Sequence, residues 1–347
     1  MFAHQLQTIS HALHRRFVLL VIASYILAGF APGPGLWIRS TGLAGVSLPM
    51  IMLGVLLFNA GLGVELAELK EIRRRPRSLI VGLLANLVIP IGFVGLVMQS
   101  LRIWHNPDEV QNVLVGLALV ASMPIAGSST AWSQNANGNM ALSLALVLGS
   151  TFLSPLTTPL GLHAVGLMTT GDYSEDLHEL ATTGTNSFLA VAVIIPSALG
   201  LVGHWLAGAE RVARVKPDLK LVNLLLLLVL NYSNAAVSLP ESVANPDPDF
   251  LAMILAITVL LCSTNFGAGW LIARLLGVSR ADQIALMFGL GMNNNGTGLV
   301  LASMALADHP RVLLPIIFYN LVQHLVAGAV DYAVSRRRQV EDAPSRE

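Results

Sequence analysis

Residues 289–298 read GLGMNNNGTG and place three consecutive asparagines and four glycines inside an otherwise apolar segment. Residues 123–130, MPIAGSST, interrupt a second apolar segment in a similar way. Proline and glycine disfavour a continuous helix, and asparagine is a weak helix former. If these segments lie in a membrane, backbone that is not helical survives only where it faces protein or a polar cavity. The two interruptions therefore predict a pair of broken helices that meet at a polar site.

The composition places the chain in a membrane. Of its 347 residues, 54% are hydrophobic and 12% are charged, whereas a soluble domain carries about 25% charged residues. The mean hydropathy is +0.68, and equal numbers of acidic and basic residues give no signal for nucleic-acid binding. One cysteine, Cys262, permits no internal disulfide and no cysteine metal cluster. We predict an all-α polytopic membrane protein and exclude a disordered chain, a nucleic-acid binder and a conventional cytosolic enzyme.

The apolar runs predict ten transmembrane helices, because each run approaches the roughly 20 residues that cross a bilayer. The predicted spans are 17–37, 42–63, 78–101, 111–133, 140–165, 186–208, 219–239, 250–273, 282–305 and 312–334. Lysine and arginine are retained on the cytoplasmic side. With the N-terminus inside, seventeen of the twenty basic residues fall on inner segments. We therefore predict a multi-pass protein of the plasma (inner) membrane with both termini cytoplasmic.

The spans divide into two halves of five, and an odd number of spans gives the second half the opposite orientation. We predict a first five-helix repeat at 1–168 with a short cytoplasmic segment at 1–16. An external acidic linker at 169–185 leads to a second, inverted repeat at 186–335 and a cytoplasmic tail at 336–347. Helices 4 and 9 are then broken at matching places and cross at the midplane, which is where secondary transporters of this architecture bind their substrates.

Three stretches carry a resemblance to a known family. They are FNAGLGVELAELKEIRRRPRSLIVGLLANLVIPIG (58–92), MPIAGSSTAWSQNANGNMALSLALVLGSTFLSPLTTP (123–159) and GWLIARLLGVSRADQIALMFGLGMNNNGTGLVLA (269–302). With these stretches in this order, the chain resembles the bile acid:sodium symporter family over nearly its whole length. The resemblance implies a panel domain, a core domain with two crossed broken helices, and alternating access. It also implies uptake of a small organic anion together with sodium, and no enzymatic activity.

The same resemblance implies two sodium sites. The first falls on Ser129, Thr130 and Ser143. The second falls on the backbone of Leu290 and Met292 and on the side chain of Asn293. A glutamine on the third helix of the family has its nearest counterpart in Asn86, one residue out of register relative to Pro90.

The predicted substrate site lies beside the breaks, where the N-termini of the following half-helices favour an anion. The resemblance places the substrate-side asparagine at Asn294. The residues that we predict to bind substrate are Pro124, Asn294, Asn295, Thr297 and His324. The expected partners are a small organic anion and membrane lipid, with no nucleic acid and no obligate protein partner evident.

One position departs from the family pattern. The family has a glutamate that bridges both sodium ions, and Gly289 occupies that position here. A further hydroxyl position of the first site is Val147. Two sodium ions without a protein anion would repel each other in a medium of low dielectric constant. We therefore expect sodium coupling to be weakened or altered, with at most one ion tightly held.

Other functions remain open at the level of sequence. Sodium-independent transport is one alternative. Proton-linked transport is another, and it would need a titratable group near the midplane; His324 is the candidate, although a neutral ring between helices also explains it. A non-transporting sensor on the same fold is an alternative, and a channel is another. An intramembrane hydrolase is disfavoured because the chain has no Gly-x-Ser-x-Gly and no His-Glu-x-x-His motif.

Overall fold

A computed structural model describes residues 17–43, 45–64 and 76–341 of the chain, and these residues are overwhelmingly helical. A short antiparallel hairpin pairs β1 (Gly42–Leu43) with β2 (Val46–Ser47). In the first half the helices are α1 (Phe17–Phe30), α2 (Gly33–Ser40), α3 (Leu48–Leu62), α4 (Pro76–Ser100), α5 (Pro107–Ser122), α6 (Ser128–Asn135) and α7 (Met140–Gly166). In the second half they are α8 (Asp172–Glu179), α9 (Thr185–Leu189), α10 (Ile195–Ala207), α11 (Ala209–Ala235), α12 (Leu239–Ala244), α13 (Pro248–Leu275), α14 (Arg280–Gly291), α15 (Asn295–Ala305) and α16 (Leu313–Glu341).

The connections differ in detail from the sequence prediction. Part of the predicted acidic linker is helical. A π-helical segment, Leu180–Gly184, joins α8 to α9, and a second one, Ala190–Ile194, joins α9 to α10. Helix α16 continues to Glu341, so it includes the first residues of the predicted tail. The predicted N-terminal segment 1–16 and residues 342–347 lie outside the described residues.

Local sequence sets the starts of the long helices. The side chain of Asn106 accepts a hydrogen bond from the Asp108 backbone N–H at the start of α5, at 3.1 Å. Asn139 caps α7 in the same way through the backbone N–H of Leu142, at 3.2 Å. Because these N–H groups have no partner inside the helix, such caps fix where each helix begins.

Five helical segments are long and apolar enough to cross a membrane. They are Pro76–Ile103, Met140–Gly166, Ser187–Ala207, Pro248–Leu275 and Pro310–Arg336. A sixth span arises if Val18–Phe30 and Gly33–Ser40, which are bent by 92°, count together. The chain is thus an all-α membrane protein, while the ten-span count exceeds what helix length and hydropathy alone support.

The remaining predicted spans fall short for identifiable reasons. Helix α3 has only 15 residues because the hairpin occupies the start of the predicted second span. The predicted fourth and ninth spans are each divided into two shorter helices. Helix α11 has sufficient length, but its first half is rich in charged residues.

Most packing contacts fall into two groups of helices. In one group α3 packs against α10, and α11 packs against α1, α2 and α3. In the other, α7 packs against α4 and α5, and α14 packs against α6, α7 and α13. Helix α16 lies against α5, α13 and α15 in this second group. Contacts of α15 with α11 and of α16 with α1 join the two groups, so polar residues on these helices lie at a shared boundary.

The outer surface carries many large apolar side chains. Examples are Ile103, Trp205 and Leu275, which are 94%, 72% and 77% exposed. Exposed apolar surface on this scale is not found on soluble monomers, and it fits contact with lipid tails. Membrane lipid is therefore the surrounding medium of these helices.

Candidate functional site

The first break lies between α5 and α6. Helix α5 ends at Ser122, and Met123 adopts an extended conformation with φ −76° and ψ 147°. The backbone N–H of Ile125 donates to Ser150 Oγ on α7 at 3.0 Å. Thr158, also on α7, donates its hydroxyl to the carbonyl oxygen of Ser122 at 2.7 Å. Two hydroxyls of α7 thus satisfy backbone groups that the break removes from helical pairing.

The second break lies between α14 and α15. Helix α14 ends at Gly291, and Met292 is extended with φ −127° and ψ 112°. Asn294 caps α15, because its side-chain oxygen accepts the backbone N–H of Thr297 at 3.3 Å. The tyrosine hydroxyl of Tyr319 on α16 donates to the carbonyl oxygen of Gly291 at 3.4 Å. The predicted interruption is therefore present: α16 contacts the end of α14, and Asn294 caps the start of α15.

The two breaks are joined by backbone hydrogen bonds. The N–H of Ala126 donates to the Met292 carbonyl oxygen at 2.9 Å. In the other direction, the N–H of Asn294 donates to the carbonyl oxygen of Pro124 at 2.8 Å. These bonds form an antiparallel bridge centred on Ile125 and Asn293. The broken segments therefore meet, as the sequence pattern predicts, and each supplies the pairing that the other lacks.

Asn293 lies at the centre of this junction and has no exposed surface. Its backbone N–H donates to Gln323 Oε1 at 3.0 Å. Its side-chain Nδ2 donates to the carbonyl oxygen of Val120 in the last turn of α5, at 2.7 Å. The remaining oxygen, Oδ1, is buried without a hydrogen-bond partner among the described residues. The residue is thus fixed by one backbone donor and one side-chain donor, while its side-chain oxygen has no partner among the described residues.

The residues predicted for sodium supply several oxygens of this kind. The hydroxyls of Ser129 and Ser143 and the amide oxygen of Asn86 are buried and lack hydrogen-bond partners in the described part of the chain. Thr130 is only partly buried, and its hydroxyl donates to the Gly127 carbonyl oxygen at 2.7 Å. A buried polar atom without a partner costs about 1–3 kcal/mol, so a group of them indicates a place for a ligand. A hard cation prefers such oxygens.

Two of the predicted sodium ligands, Leu290 and Met292, would contribute backbone atoms. Leu290 lies in the last turn of α14 and is 2% exposed, and Met292 is fully buried. The Met292 carbonyl oxygen already accepts the N–H of Ala126. No cluster of three histidine, cysteine, aspartate or glutamate side chains suited to a metal occurs in residues 17–43, 45–64 and 76–341. The oxygens of the predicted sodium ligands themselves are all neutral.

The predicted substrate residues divide by position. Pro124, Asn294, Asn295 and Thr297 lie at the junction of the breaks. Asn295 and Thr297 are buried, and the amide of Asn295 and the hydroxyl of Thr297 have no partners among the described side chains and backbone groups. His324 is buried on α16 next to Gln323, which contacts Asn293 directly.

Gly289 is surrounded by apolar side chains. A Cβ atom added there would lie 3.0 Å from Leu146 Cδ1 and 3.9 Å from Ile125 Cδ1. Both residues belong to a small apolar cluster with Leu142 and Leu286. Leu146 also lies one turn after Ser143 on α7. The place of the family glutamate is thus bordered by a leucine side chain.

Sequence reasoning missed Gln323, which contacts Asn293 at the junction of the breaks. Gln323 holds Asn293, and its Nε2 donates to Asn320 Oδ1 at 3.3 Å. The Asn320 amide in turn donates to the hydroxyl of Tyr25 at 2.7 Å and to Asn231 Oδ1 at 3.2 Å. This polar chain crosses the boundary between the two helix groups. The available signal was the polar pair Gln323-His324, three residues after Asn320, within an otherwise apolar stretch of α16.

Comparison with known proteins agrees with this geometry. The chain is 27% identical over 328 residues to YocS of Bacillus subtilis (strain 168), described as an uncharacterized sodium-dependent transporter. The match covers 94% of this chain and 92% of YocS. YbaS of the same organism is 29% identical over 226 residues, which cover 64% of this chain and 69% of YbaS.

A plant protein extends the comparison. The probable sodium/metabolite cotransporter BASS1, chloroplastic, of Oryza sativa subsp. japonica is 25% identical over 296 residues, or 83% of this chain and 64% of that protein. The sequence model of the sodium bile acid symporter family matches residues 50–242, which is more than half of the chain. Together with its apolar helices, this match shows that the chain is an integral membrane protein that belongs to the sodium bile acid symporter family, a family of transporters.

Proposed function

We propose that the protein is a secondary active transporter that moves a small organic anion across the membrane by alternating access. In this proposal the ten predicted spans form two inverted repeats. The protein lies in the plasma (inner) membrane, and both termini are cytoplasmic. The joined breaks form the binding site, and the two helix groups move relative to each other around it. Matched broken helices are the usual site-forming device of such transporters.

One observation carries the proposal: polar side-chain atoms in the broken segments and on helices α4 and α7 are buried without a hydrogen-bond partner among the described residues. Four of them, on Ser129, Ser143, Asn86 and Asn293, belong to residues that family resemblance assigns to sodium. Two more residues with unpartnered polar atoms, Asn295 and Thr297, lie at the start of α15. Burial of so many unsatisfied groups is unfavourable unless a ligand completes them.

The charge of the site favours an anion together with few cations. Helix α15 begins at Asn295 within the break, and its N-terminal N–H groups and dipole attract negative charge. The oxygens proposed for sodium are all neutral, and Gly289 supplies no carboxylate. We infer that at most one sodium ion binds tightly, and that the carboxylate or sulfonate of the substrate supplies the missing negative charge. Coupling would then be weaker than a site with a glutamate allows.

Ion replacement in proteoliposomes tests this coupling. A thermal-shift screen of small organic acids, with and without sodium, first identifies a transported anion. Uptake of that anion is then measured in sodium chloride and in choline chloride. We expect uptake to fall by a few-fold in choline but to remain above that of empty liposomes. Uptake that falls to the level of empty liposomes would contradict weak coupling, and binding without uptake would support a sensor instead.

A paired variant tests the reason for weak coupling. Gly289→Glu together with Leu146→Ala adds the carboxylate and removes the side chain that borders it. We expect sodium to raise the unfolding temperature of this double variant more than that of the wild type, because the carboxylate favours the bound cation. Leu146→Ala alone is the matched control. An equal sodium effect in all three proteins would count against the assignment of Gly289.

Proton-linked transport remains the second candidate because His324 is buried beside Gln323 at the site. Its test is the pH profile of uptake in His324→Gln. A shifted or flattened profile supports a proton role for the imidazole, whereas an unchanged profile leaves sodium as the coupling ion.

A further inference from the structure

Arg39 lies at the end of α2 and connects the two helix groups. Its Nη1 donates to Asn234 Oδ1 on α11 at 3.2 Å, within the same group as α2. Its Nη2 donates to the carbonyl oxygen of Ser303 on α15 at 2.7 Å, in the other group. Ser303 Oγ also lies 3.4 Å from Asn234 Oδ1. The guanidinium is therefore the charged part of this contact between the groups.

Both hydrogen-bond acceptors of Arg39 in the described part of the chain are neutral oxygens. A guanidinium stays protonated in proteins, and this one is partly buried. Within the described part of the chain, neither of its hydrogen bonds goes to a carboxylate. Arg311, by contrast, lies 3.4 Å from Glu241 Oε1 in an ion pair. A carboxylate or sulfonate binds a guanidinium more strongly than neutral oxygens do, because both partners carry charge.

The position along α15 connects Arg39 to the proposed site. Ser303 lies eight residues after Asn295, which corresponds to about 12 Å along a helix. The Ser303 carbonyl belongs to the C-terminal turn of α15, where carbonyl groups lack helical partners. Arg39 therefore caps the end of the same half-helix whose start faces the proposed substrate.

We propose that Arg39 is an anion-responsive latch between the two helix groups. In the present conformation it holds α15 against α11, and the anionic group of an incoming substrate releases Ser303 by taking its place on the guanidinium. The exchange involves hydrogen bonds and charge only. This proposal rests on the proposed transport function for the nature of the anion, but the latch itself is measurable without transport.

Cysteine accessibility tests the latch. Cys262→Ala removes the native thiol, and Ser303→Cys then places a reporter at a site that is 2% exposed. The purified protein reacts with a cationic methanethiosulfonate, and the rate of labelling is measured. We expect Arg39→Gln to raise the labelling rate about tenfold. The rate of Arg39→Lys should lie between those of the wild type and Arg39→Gln, because lysine keeps the charge but lacks the planar set of guanidinium donors. Arg311→Gln is the matched control and should leave the rate unchanged.

The response to anions is tested with benzoate and its neutral analogue benzamide. Benzoate should raise the labelling rate of the protein that retains Arg39, and benzamide should not. The benzoate effect should disappear in Arg39→Gln. Equal labelling rates in the protein that retains Arg39 and in the Arg39→Gln variant would overturn the proposal. Equal effects of benzoate and benzamide on the labelling rate would also overturn it. If the labelling results hold but no anion is taken up by proteoliposomes, the transport function fails and the latch stands.

Discussion

Asn293 shows how one side chain can organise the junction of two broken helices. Its amide group binds the last turn of α5, and its backbone N–H binds Gln323 on α16. The neighbouring residues on each side pair with the other break. Because every one of these bonds is buried, loss of one partner leaves a polar group that water cannot reach. The site is therefore sensitive to single polar substitutions around it.

We predict that Gln323→Leu destabilises the protein by about 1–3 kcal/mol, the usual cost of a buried unpaired donor. The substitution keeps the side-chain size but removes the acceptor of the Asn293 N–H and the donor to Asn320. The free energy of unfolding is measured by titration of mixed micelles with sodium dodecyl sulfate. Gln99→Leu is the control, since Gln99 is exposed on α4. Equal effects of both substitutions would argue against a special role of Gln323.

Sequence predicts some residues of the site better than others. The breaks are predictable because Pro124 and the asparagine run conflict with helix formation wherever they occur. The roles of Gln323 and Ser150 are not predictable, because a polar side chain in an apolar helix has many possible partners. Their partners here, the backbone N–H groups of Asn293 and Ile125, are defined only by tertiary packing. The assignment of ions and substrate to these residues stays a prediction.

At the scale of elements, the crossing of α3 and α10 is the closest helix contact in the first group. A Cβ atom on Gly200 would overlap the carbonyl oxygen of Phe58, and one on Gly61 would overlap that of Ser197. Small residues on both helices thus allow their backbones to touch, which is how many membrane helices associate. Here glycine is needed for space and not for an unusual backbone angle.

We predict that Gly200→Ala destabilises the protein by about 1–3 kcal/mol, because the added methyl group forces α3 and α10 apart. Gly92→Ala on α4 is the matched control. A Cβ there meets no atom within 4 Å, and alanine favours a helix over glycine by about 0.5–1 kcal/mol. Unfolding in mixed micelles measures both variants. A loss of stability in Gly92→Ala as large as that in Gly200→Ala would show that the effect is not local.

The elements that the sequence predicts least accurately are those that depart from long apolar helices. The hairpin before α3 shortens one predicted span, and the 92° bend divides another. Hydropathy averages over such features because it counts residues and not hydrogen bonds. The long helices α4, α7 and α13 have no comparable interruption, and their predicted boundaries lie within a few residues of the observed ones.

At the scale of the whole molecule, topology connects the site to transport. In the proposed inverted repeat, α6 and α15 would lie on opposite sides of the joined breaks, so that each side of the membrane would gain access in turn. The side of the membrane on which a loop lies depends on the number of spans that precede it. An error of one span would invert every loop that follows it. The distribution of basic residues favours ten spans, whereas the helix lengths alone support five or six.

Cysteine labelling of two loops measures this topology. His105 precedes α5 and Glu210 begins α11, and both side chains are exposed. Ten spans with cytoplasmic termini place three predicted spans, 111–133, 140–165 and 186–208, between the two positions. The proposed topology therefore puts His105 outside and Glu210 inside. In a Cys262→Ala background, an impermeant maleimide added to intact cells should label His105→Cys, and label Glu210→Cys only after permeabilisation. Labelling of both positions in intact cells would require a different number of spans between them, and the inverted repeat would then have to be abandoned.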